Sequence, residues 1–397
     1  MRSQASQASL KGSLRLGSYL KRLRQGYGYS LRRVEERARA EGGEIDNSQL
    51  SRYEKGICYP SFDKLRVLAS VFNVSVQAFS DVVDLEEFED LKPISTDVEA
   101  VRQQGRDALK GGSIGEALAC YERMIDLLEE LPDSQENRDL MISARASHSA
   151  ALVRLGKLSL AEQELRHALR EHDNISAQRK AQAIYALAKI HAEQGDLFLA
   201  EMEAEKACGY AIEAEDRLFE GRAVHSFAYI LAERGNYEKA IERYQEAAAI
   251  YAECSESFEA ILVRICIGDC FAEMGKVREG VRILRSALQE ARQAGHQRLE
   301  AQAWSNLGVA YFRQGDLRRA RGCFRESDAL AHHNNQPHPD LLFFNSFYEW
   351  RMAAEEKNPT REKIAFGRLK ALRSNVERRM NEVEQFDAHV ERGRNHA

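Results

Sequence analysis

Between Asn47 and Lys55 the chain reads NSQLSRYEK. A helix over this stretch puts Leu50 and Tyr53 on one side and Ser48, Gln49, Arg52 and Lys55 on the other. The second set holds a guanidinium, an ammonium, a carboxamide and a hydroxyl, with nothing apolar among them. Arginine's fork matches the two acceptors on a guanine edge, and glutamine's carboxamide matches the donor and acceptor of adenine. Either Asn47 or Ser48 can cap the helix. Arg22, Arg32, Arg33 and Lys55 are suited to phosphates, contacts that position without specifying, and Arg32 and Arg33 otherwise form a solvated face.

Other chemistry is weaker. Cys266 and Cys270 sit four apart on one helix, but a closed zinc site wants four ligands and no partner pair appears, so core packing is expected. His332, His333 and His338 fall in a polar loop. No P-loop, nucleophile elbow or HExxH run is present, and no nucleophile sits beside a base. The expectation is a chain that is not an enzyme and has neither metal nor cofactor.

Short helices must hold the basic set. Leu14, Leu16, Leu20 and Leu23 make a first helix, ended by Gly26 and Gly28. Ser30 caps a second, Leu31 to Arg39. Gly56 stops the third as a left-handed residue. Pro60-Ser61 opens a fourth carrying Leu65, Leu68, Ala69 and Phe72, closed by Asn73, and Ser75 to Phe79 makes a short fifth. The run Ser51-Arg52-Tyr53-Glu54-Lys55-Gly56, with Pro60 and then Leu65 to Val76, resembles the lambda-repressor-like (Xre) family over roughly Leu14 to Val82. Leu20, Arg24, Gly28 and Leu31 match that family's first two helices. The resemblance implies double-stranded DNA as partner and the third helix in the major groove. It also implies that Asn47 touches bases or phosphates, and that Arg24 and Glu54 form a structural pair. The stretch Arg39 to Asp46 is longer than the usual turn, which leaves the start of the third helix open.

From Gly112 onward a second pattern takes over. Glycines recur at Gly112, Gly156, Gly195, Gly235, Gly275 and Gly315. Five residues after each stands a small residue: Ala117, Ala161, Ala200, Ala240, Gly280 and Ala320. Four further on come Tyr121, Leu165, Ala204, Tyr244, Leu284 and Phe324. A fixed period near 40 marks a solenoid of helix pairs. Trp304, Leu307, Gly308, Tyr311, Gly315, Ala320 and Phe324 resemble the tetratricopeptide signature. A degenerate seventh repeat, Asp340 to Arg373, carries Phe343, Phe344, Phe347 and Trp350. A last helix, Asn375 to Arg392, is suited to dimerise or to cap.

In a solenoid of this kind the first helix of each pair lines the concave face. Inward positions then include Gln182, Tyr185, Lys189, Arg222, His225, Tyr229, Asp269, Gln302, Arg313 and Asn345, with Arg102, Arg106, Ser305 and Glu349. Gln182, Gln302 and Asn345 suit the backbone of an extended peptide. Arg222, His225 and Arg313 suit a carboxylate. Solvated groove residues with no small ligand are the alternative. Asn306 resembles a clamp but occupies a common intra-repeat hydrogen-bonding position. In architecture alone, the joint pattern resembles the peptide-responsive quorum-sensing regulators.

Charge supports the division. Lys11 to Arg66 holds 13 Lys/Arg against 7 Asp/Glu, although the whole chain carries −5. A basic segment on an acidic chain suggests an anionic partner. Seven cysteines without framework spacing fit reduced thiols, and no run of 18 apolar residues occurs, so a cytoplasmic protein without membrane contact is expected.

The expected fold is all-α: a five-helix helix-turn-helix domain followed by a right-handed tetratricopeptide superhelix. Its parts are a disordered tail (1–10), the helix-turn-helix domain (11–80), an acidic linker (81–97) around Pro93, the repeats (98–373), and a C-terminal helix and tail (374–397). The loop Glu129 to Asp139, with Pro132, is a candidate hinge. The function expected is sequence-specific regulation of transcription by a homodimer whose array senses a peptide or protein. The alternative is a scaffold that docks a signalling or phosphorelay protein.

Overall fold

The computed structural model describes residues 12–171, 175–332, 338–376 and 380–395, all in helices, turns or connections without strands. The expected tail and His333 lie outside them. The chain forms two compact units, 1–175 and 176–397.

The first unit opens with α1 (Leu14–Gly26), α2 (Leu31–Ala40), α3 (Asn47–Glu54), α4 (Phe62–Phe72) and α5 (Val76–Asp84). Leu20, Val34, Leu50, Leu68, Phe72 and Phe79 are buried and form their core. Ser13, Ser30 and Ser75 cap three of these helices by accepting from backbone N–H groups. The cap of α3 is Asp46, which accepts from Gln49 N at 2.7 Å, so neither Asn47 nor Ser48 is the cap. Asn73 closes α4 with φ 47°. Arg24 holds Glu54 through two bonds, Nε to Oε1 at 2.6 Å and Nη2 to Oε2 at 2.9 Å.

The acidic stretch after Phe79 is folded. It completes α5 and continues as a 3-10 segment, Leu85–Leu91, with Val82 and Leu85 buried. It lies against α1: Ser13 donates to Glu86, and Arg15 donates to Glu89 at 2.6 Å. Asp97 then caps α6 (Val98–Gly111), which pairs with α7 (Ile114–Glu129), followed by α8 (Gln135–Arg154) and α9 (Leu158–Glu171). The Pro132 loop joins α7 to α8, between the first two hairpins. Asn137 Nδ2 donates to the Pro132 carbonyl at 2.8 Å, and Arg138 reaches Asp133 at 2.9 Å.

The second unit holds five hairpins: α10 (Ala177–Gln194) with α11 (Leu197–Glu213), α12 (Arg217–Glu233) with α13 (Tyr237–Glu253), α14 (Ser257–Glu273) with α15 (Val277–Gln293), α16 (Gln297–Arg313) with α17 (Leu317–Ala331), and α18 (Pro339–Glu355) with α19 (Pro359–Arg373). The turn glycines take φ between 73° and 83°, which lets each hairpin reverse within three residues. The small residues that follow are buried, and the bulky ones fill the space beyond. At Gly308 an added Cβ would lie 2.6 Å from the Phe324 ring. Burying rings such as Tyr244 and Phe324 contributes about 1.5–3 kcal/mol each. A last helix, α20 (Asn381–Asn395), starts later than the sequence suggested and turns its apolar face inward. Phe386 meets Phe343 at 5.7 Å, and His389 meets Trp350 at 4.9 Å. It caps the terminal repeat.

Candidate nucleic-acid interface and repeat groove

The buried Leu50 and Tyr53 fix which side of α3 faces out. Asn47, Ser48, Arg52 and Lys55 are exposed. Gln49 is half-buried and accepts from Lys64 Nζ at 2.8 Å, so it is less free than its neighbours. Among the described residues Arg52 and Lys55 have no ion-pair partner, which leaves the Arg52 fork and the Lys55 ammonium open to an external acceptor. Arg32 and Arg33, on α2, are exposed and share Glu36, at 3.9 and 3.0 Å. Arg22 departs from the set. It points to Glu164 of α9 at 3.4 Å, away from its expected place among phosphate contacts.

That departure belongs to a seam that the sequence did not reveal. Within the first unit, α1 and α5 rest on α7 and α9. Arg15 donates to Glu122, Tyr19 donates to Gln163, and Lys157 reaches Asp81 at 3.0 Å and Asp84 at 2.6 Å. Behind them Arg145 is buried and bonds Glu164 at 2.8 Å, while His148 Nε2 stands 3.5 Å from Glu122. Burial alone would raise the Glu122 carboxyl, but His148, Arg15 and Lys92 outweigh it and hold it down to about 2. Burial is likewise outweighed at Glu164, where Arg22, His148 and Arg145 hold the carboxyl down to about 2. A cleft of about 1200 Å³ runs along this seam past Arg22, Tyr27 and Arg170. The seam uses α1 and α5 and leaves α3 outside it.

In the second unit the groove residues separate into three groups. Lys189 and Arg222 are exposed. Lys189 lies over the Tyr185 ring, which meets Phe219 edge-on at 5.5 Å, and Gln182 accepts from Arg179 at 2.8 Å. Tyr229 and Gln302 are half-buried.

The second group corrects the sequence reading, with Asn345 buried and His225 and Asn306 half-buried. Asn345 is fully buried: it accepts from Ser305 and donates to Ser327 and Asp328, between 2.7 and 2.9 Å. It joins α16, α17 and α18, with both amide donors used and no surface exposed to a ligand backbone. Asn306, expected to make that kind of bond, makes none among the described residues. His225 packs between Tyr244 at 5.7 Å and Tyr251 at 6.2 Å, and burial pushes its pKa down to about 4. It is neutral near pH 7 and is no cation for a carboxylate.

The third group surrounds Asp269. Arg313, expected to suit a ligand carboxylate, donates to Glu273 of the chain itself. Burial first, and then the charge of Glu273, push the Asp269 carboxyl up to about 7, against the pull of Arg313. Glu382 of α20 accepts from the Tyr348 hydroxyl at 3.2 Å, and its pKa is also raised, chiefly by burial. Glu233 and Glu382 add to the negative field at Asp269. The sequence held a signal for this cluster: Glu233, Glu273 and Arg313 stand 40 apart, at one position of three successive repeats.

Cys270 is buried in the core with its thiol pushed up by burial, and Cys266 packs beside it. No single helix among the described residues is long and apolar enough to cross a membrane. The bent apolar pair α4 and α5 with its 3-10 extension owes its composition to the buried core of the first domain.

These features define an all-α protein that joins a helix-turn-helix domain to a tetratricopeptide array. Residues 15–79 match the helix-turn-helix domain family, and residues 259–331 match the tetratricopeptide repeat family. No curated protein matches the chain. Among solved structures it is similar to a Rap protein complexed with competence and sporulation factor (16% identity, 70% of this chain and 76% of that one, TM-score 0.53). It is also similar to the apo form of RapI (12%, 70% and 97%, TM-score 0.57). A tetratricopeptide repeat protein from Parabacteroides merdae is a further neighbour (15%, 69% and 93%, TM-score 0.50). At these identities the likeness concerns the fold.

Proposed function

We propose that the chain is a cytoplasmic, sequence-specific regulator of transcription that binds an operator as a homodimer and takes an effector in its repeat array. One observation carries this reading. The helix-turn-helix domain is seated on the first repeats through α1 and α5, while the donors of α3 stay exposed and uncommitted. A domain held by its back and open at its reading face is built to present that face.

Ser48, Arg52 and Lys55 are the side chains proposed to meet DNA, with Asn47 at the helix start and Gln49 once it exchanges Lys64 for a base. Arg32 and Arg33 are proposed for phosphates. The effector is proposed to be a peptide, for which Arg222 and Lys189 remain as exposed groove cations. A Rap protein of similar fold has been solved complexed with competence and sporulation factor.

Footprinting together with a mobility shift on the region upstream of the gene tests the reading. The parent should protect two half-sites, and its affinity should fall as salt rises. Arg52→Ala should cost about 1–3 kcal/mol and relax base preference at one position. Equal binding of all sequences by parent and variant would remove α3 from the reading role. The rival, a scaffold that docks a signalling protein, predicts no protection at all.

A further inference from the structure

Charge is unevenly distributed along the second unit. From His191 to Ala260 the chain holds 6 Lys/Arg against 16 Asp/Glu, whereas from Lys276 to Glu326 it holds 11 against 5. The reversal falls on the outer face, which the second helix of each hairpin supplies. On α15 Gly280, Leu284, Ala287, Leu288 and Ala291 are buried, so Arg278 and Arg282 point away from the array. On α17 the buried set is Ala320, Cys323, Phe324, Ser327 and Ala331, which turns Arg318 and Arg325 outward in the same way. All four arginines are exposed, and among the described residues their guanidinium groups make no ion pair or hydrogen bond. One repeat earlier, α13 has Glu238 and Glu242 where α15 has Arg278 and Arg282, so the repeat itself does not dictate cations there.

Two features select the partner. Together α15 and α17 carry eight arginines and no lysine. Lysine would serve solubility equally well, but the guanidinium fork matches two phosphate oxygens at once. Neither helix exposes a large apolar side chain. A surface for an acidic protein needs an aromatic or aliphatic anchor at its centre, and a polyanion held through its phosphates does not. The carboxylates of the two helices do not cancel the four cations. Glu290 holds Arg264, and Asp328 accepts from Arg368 and Asn345. Glu349, whose carboxyl feels Arg325, is already held by Arg368 at 3.1 Å. Glu279 and Glu326 remain at the flanks of the arginine rows.

We propose that the outer face of α15 and α17 holds the phosphate backbone of duplex DNA, without regard to sequence, in addition to the contact made by α3. The proposal rests on the reading above that DNA is the partner and adds a surface to it. Arg278 and Arg282 stand one turn apart, about 6 Å along the helix, and Arg318 and Arg325 two turns apart, about 10 Å. Those spacings let each row reach successive phosphates of a strand. Such contacts fix position and strengthen binding while carrying no base information.

A benzophenone-bearing side chain placed at Gly322 of the full chain tests the surface. The position lies between Arg318 and Arg325 on the outer side of α17, with open space around it. Irradiated at low salt with a labelled duplex of arbitrary sequence, the chain should become tethered to DNA from Gly322. It should not be tethered from Glu242, the equivalent position on the acidic α13. Arg278→Gln, Arg282→Gln, Arg318→Gln and Arg325→Gln combined should abolish the tethering, and polyglutamate of matching charge should not displace the duplex. No tethering from Gly322 in a chain that binds DNA would overturn this surface and leave the α3 reading in place. So would equal tethering from Glu242, tethering that survives the four glutamines, or displacement by polyglutamate, which would assign the face to an acidic protein. A chain that binds no duplex at any salt concentration would overturn the DNA reading itself.

Discussion

Asn345 and Asn306 show how far residue type alone can be read. Both are asparagines on first helices, and only packing separates them. Asn345 is closed in by Ser305, Ser327 and Asp328, whereas Asn306 makes no such bond. Replacing Asn345 with leucine should strand buried hydroxyls and cost about 1–3 kcal/mol in a denaturant melt. Asp269 and His225 yield opposite pH signatures. The Asp269 pKa is raised above its unfolded value, so the folded state binds the extra proton and stability falls as pH rises from about 4 through 7. His225 is lowered to about 4, so the unfolded state binds the extra proton and stability is lost as pH falls from about 6.5 towards 4. Asp269→Asn should therefore raise the melting temperature at pH 8 and flatten the first slope, by about 1–2 kcal/mol allowing for the water that reaches the groove. His225→Phe should flatten the second. If both variants keep the parent's pH profile of melting temperature, neither group titrates as the geometry requires. The sequence did place Asp269 in the groove with Glu273 four residues on, but the other neighbours that set its charge, Arg313, Glu382 and Glu233, come from α16, α20 and α12, far away in the chain.

At the scale of helices the sequence was most legible where one residue type has one physical use. The glycine beat located every hairpin turn from α6 to α17. A second beat went unseen. Glu215, Ser255 and Gly295, 40 apart, take φ of 54°, 61° and 71° in the turns between hairpins. Two of the three are not glycine, so composition hides a conformation that the geometry repeats. The start of α3 was left open because the stretch Arg39 to Asp46 runs longer than the usual turn; the cap falls on Asp46, just before the two residues the sequence offered. Close crossing of α14 and α15 depends on two glycines. A Cβ on Gly280 would lie 2.6 Å from the Gly268 carbonyl oxygen, an atom of the backbone that cannot step aside. Gly280→Ala should cost about 1–3 kcal/mol by thermal melting, although alanine is the better helix former. A stabilised variant would mean that α14 and α15 can part without loss.

Across the first unit, the acidic stretch read as a linker is the surface by which the reading domain is seated. Charge counts assigned the basic segment an anionic partner without showing that part of it pairs with this stretch. Glu122 and Glu164 are depressed to about 2, so their contribution is complete above about pH 4.5 and fades as pH falls towards 2. Glu164→Gln should remove its own share of that acid dependence, leaving that of Glu122, and, by leaving the buried Arg145 without its nearest carboxylate, cost about 3 kcal/mol at neutral pH. Hydrogen exchange in α1 should rise in the same variant; unchanged protection there would mean that α1 is held by its apolar contacts alone. The seam also sets a timetable for synthesis. Arg15 waits 107 residues for Glu122, and Tyr19 waits 144 for Gln163. At roughly 5–20 residues per second, a newborn reading domain spends several seconds or more outside the ribosome before its seat has been translated. During that interval its basic face is exposed on all sides, free to find nucleic acid before the rest of the chain exists to govern it.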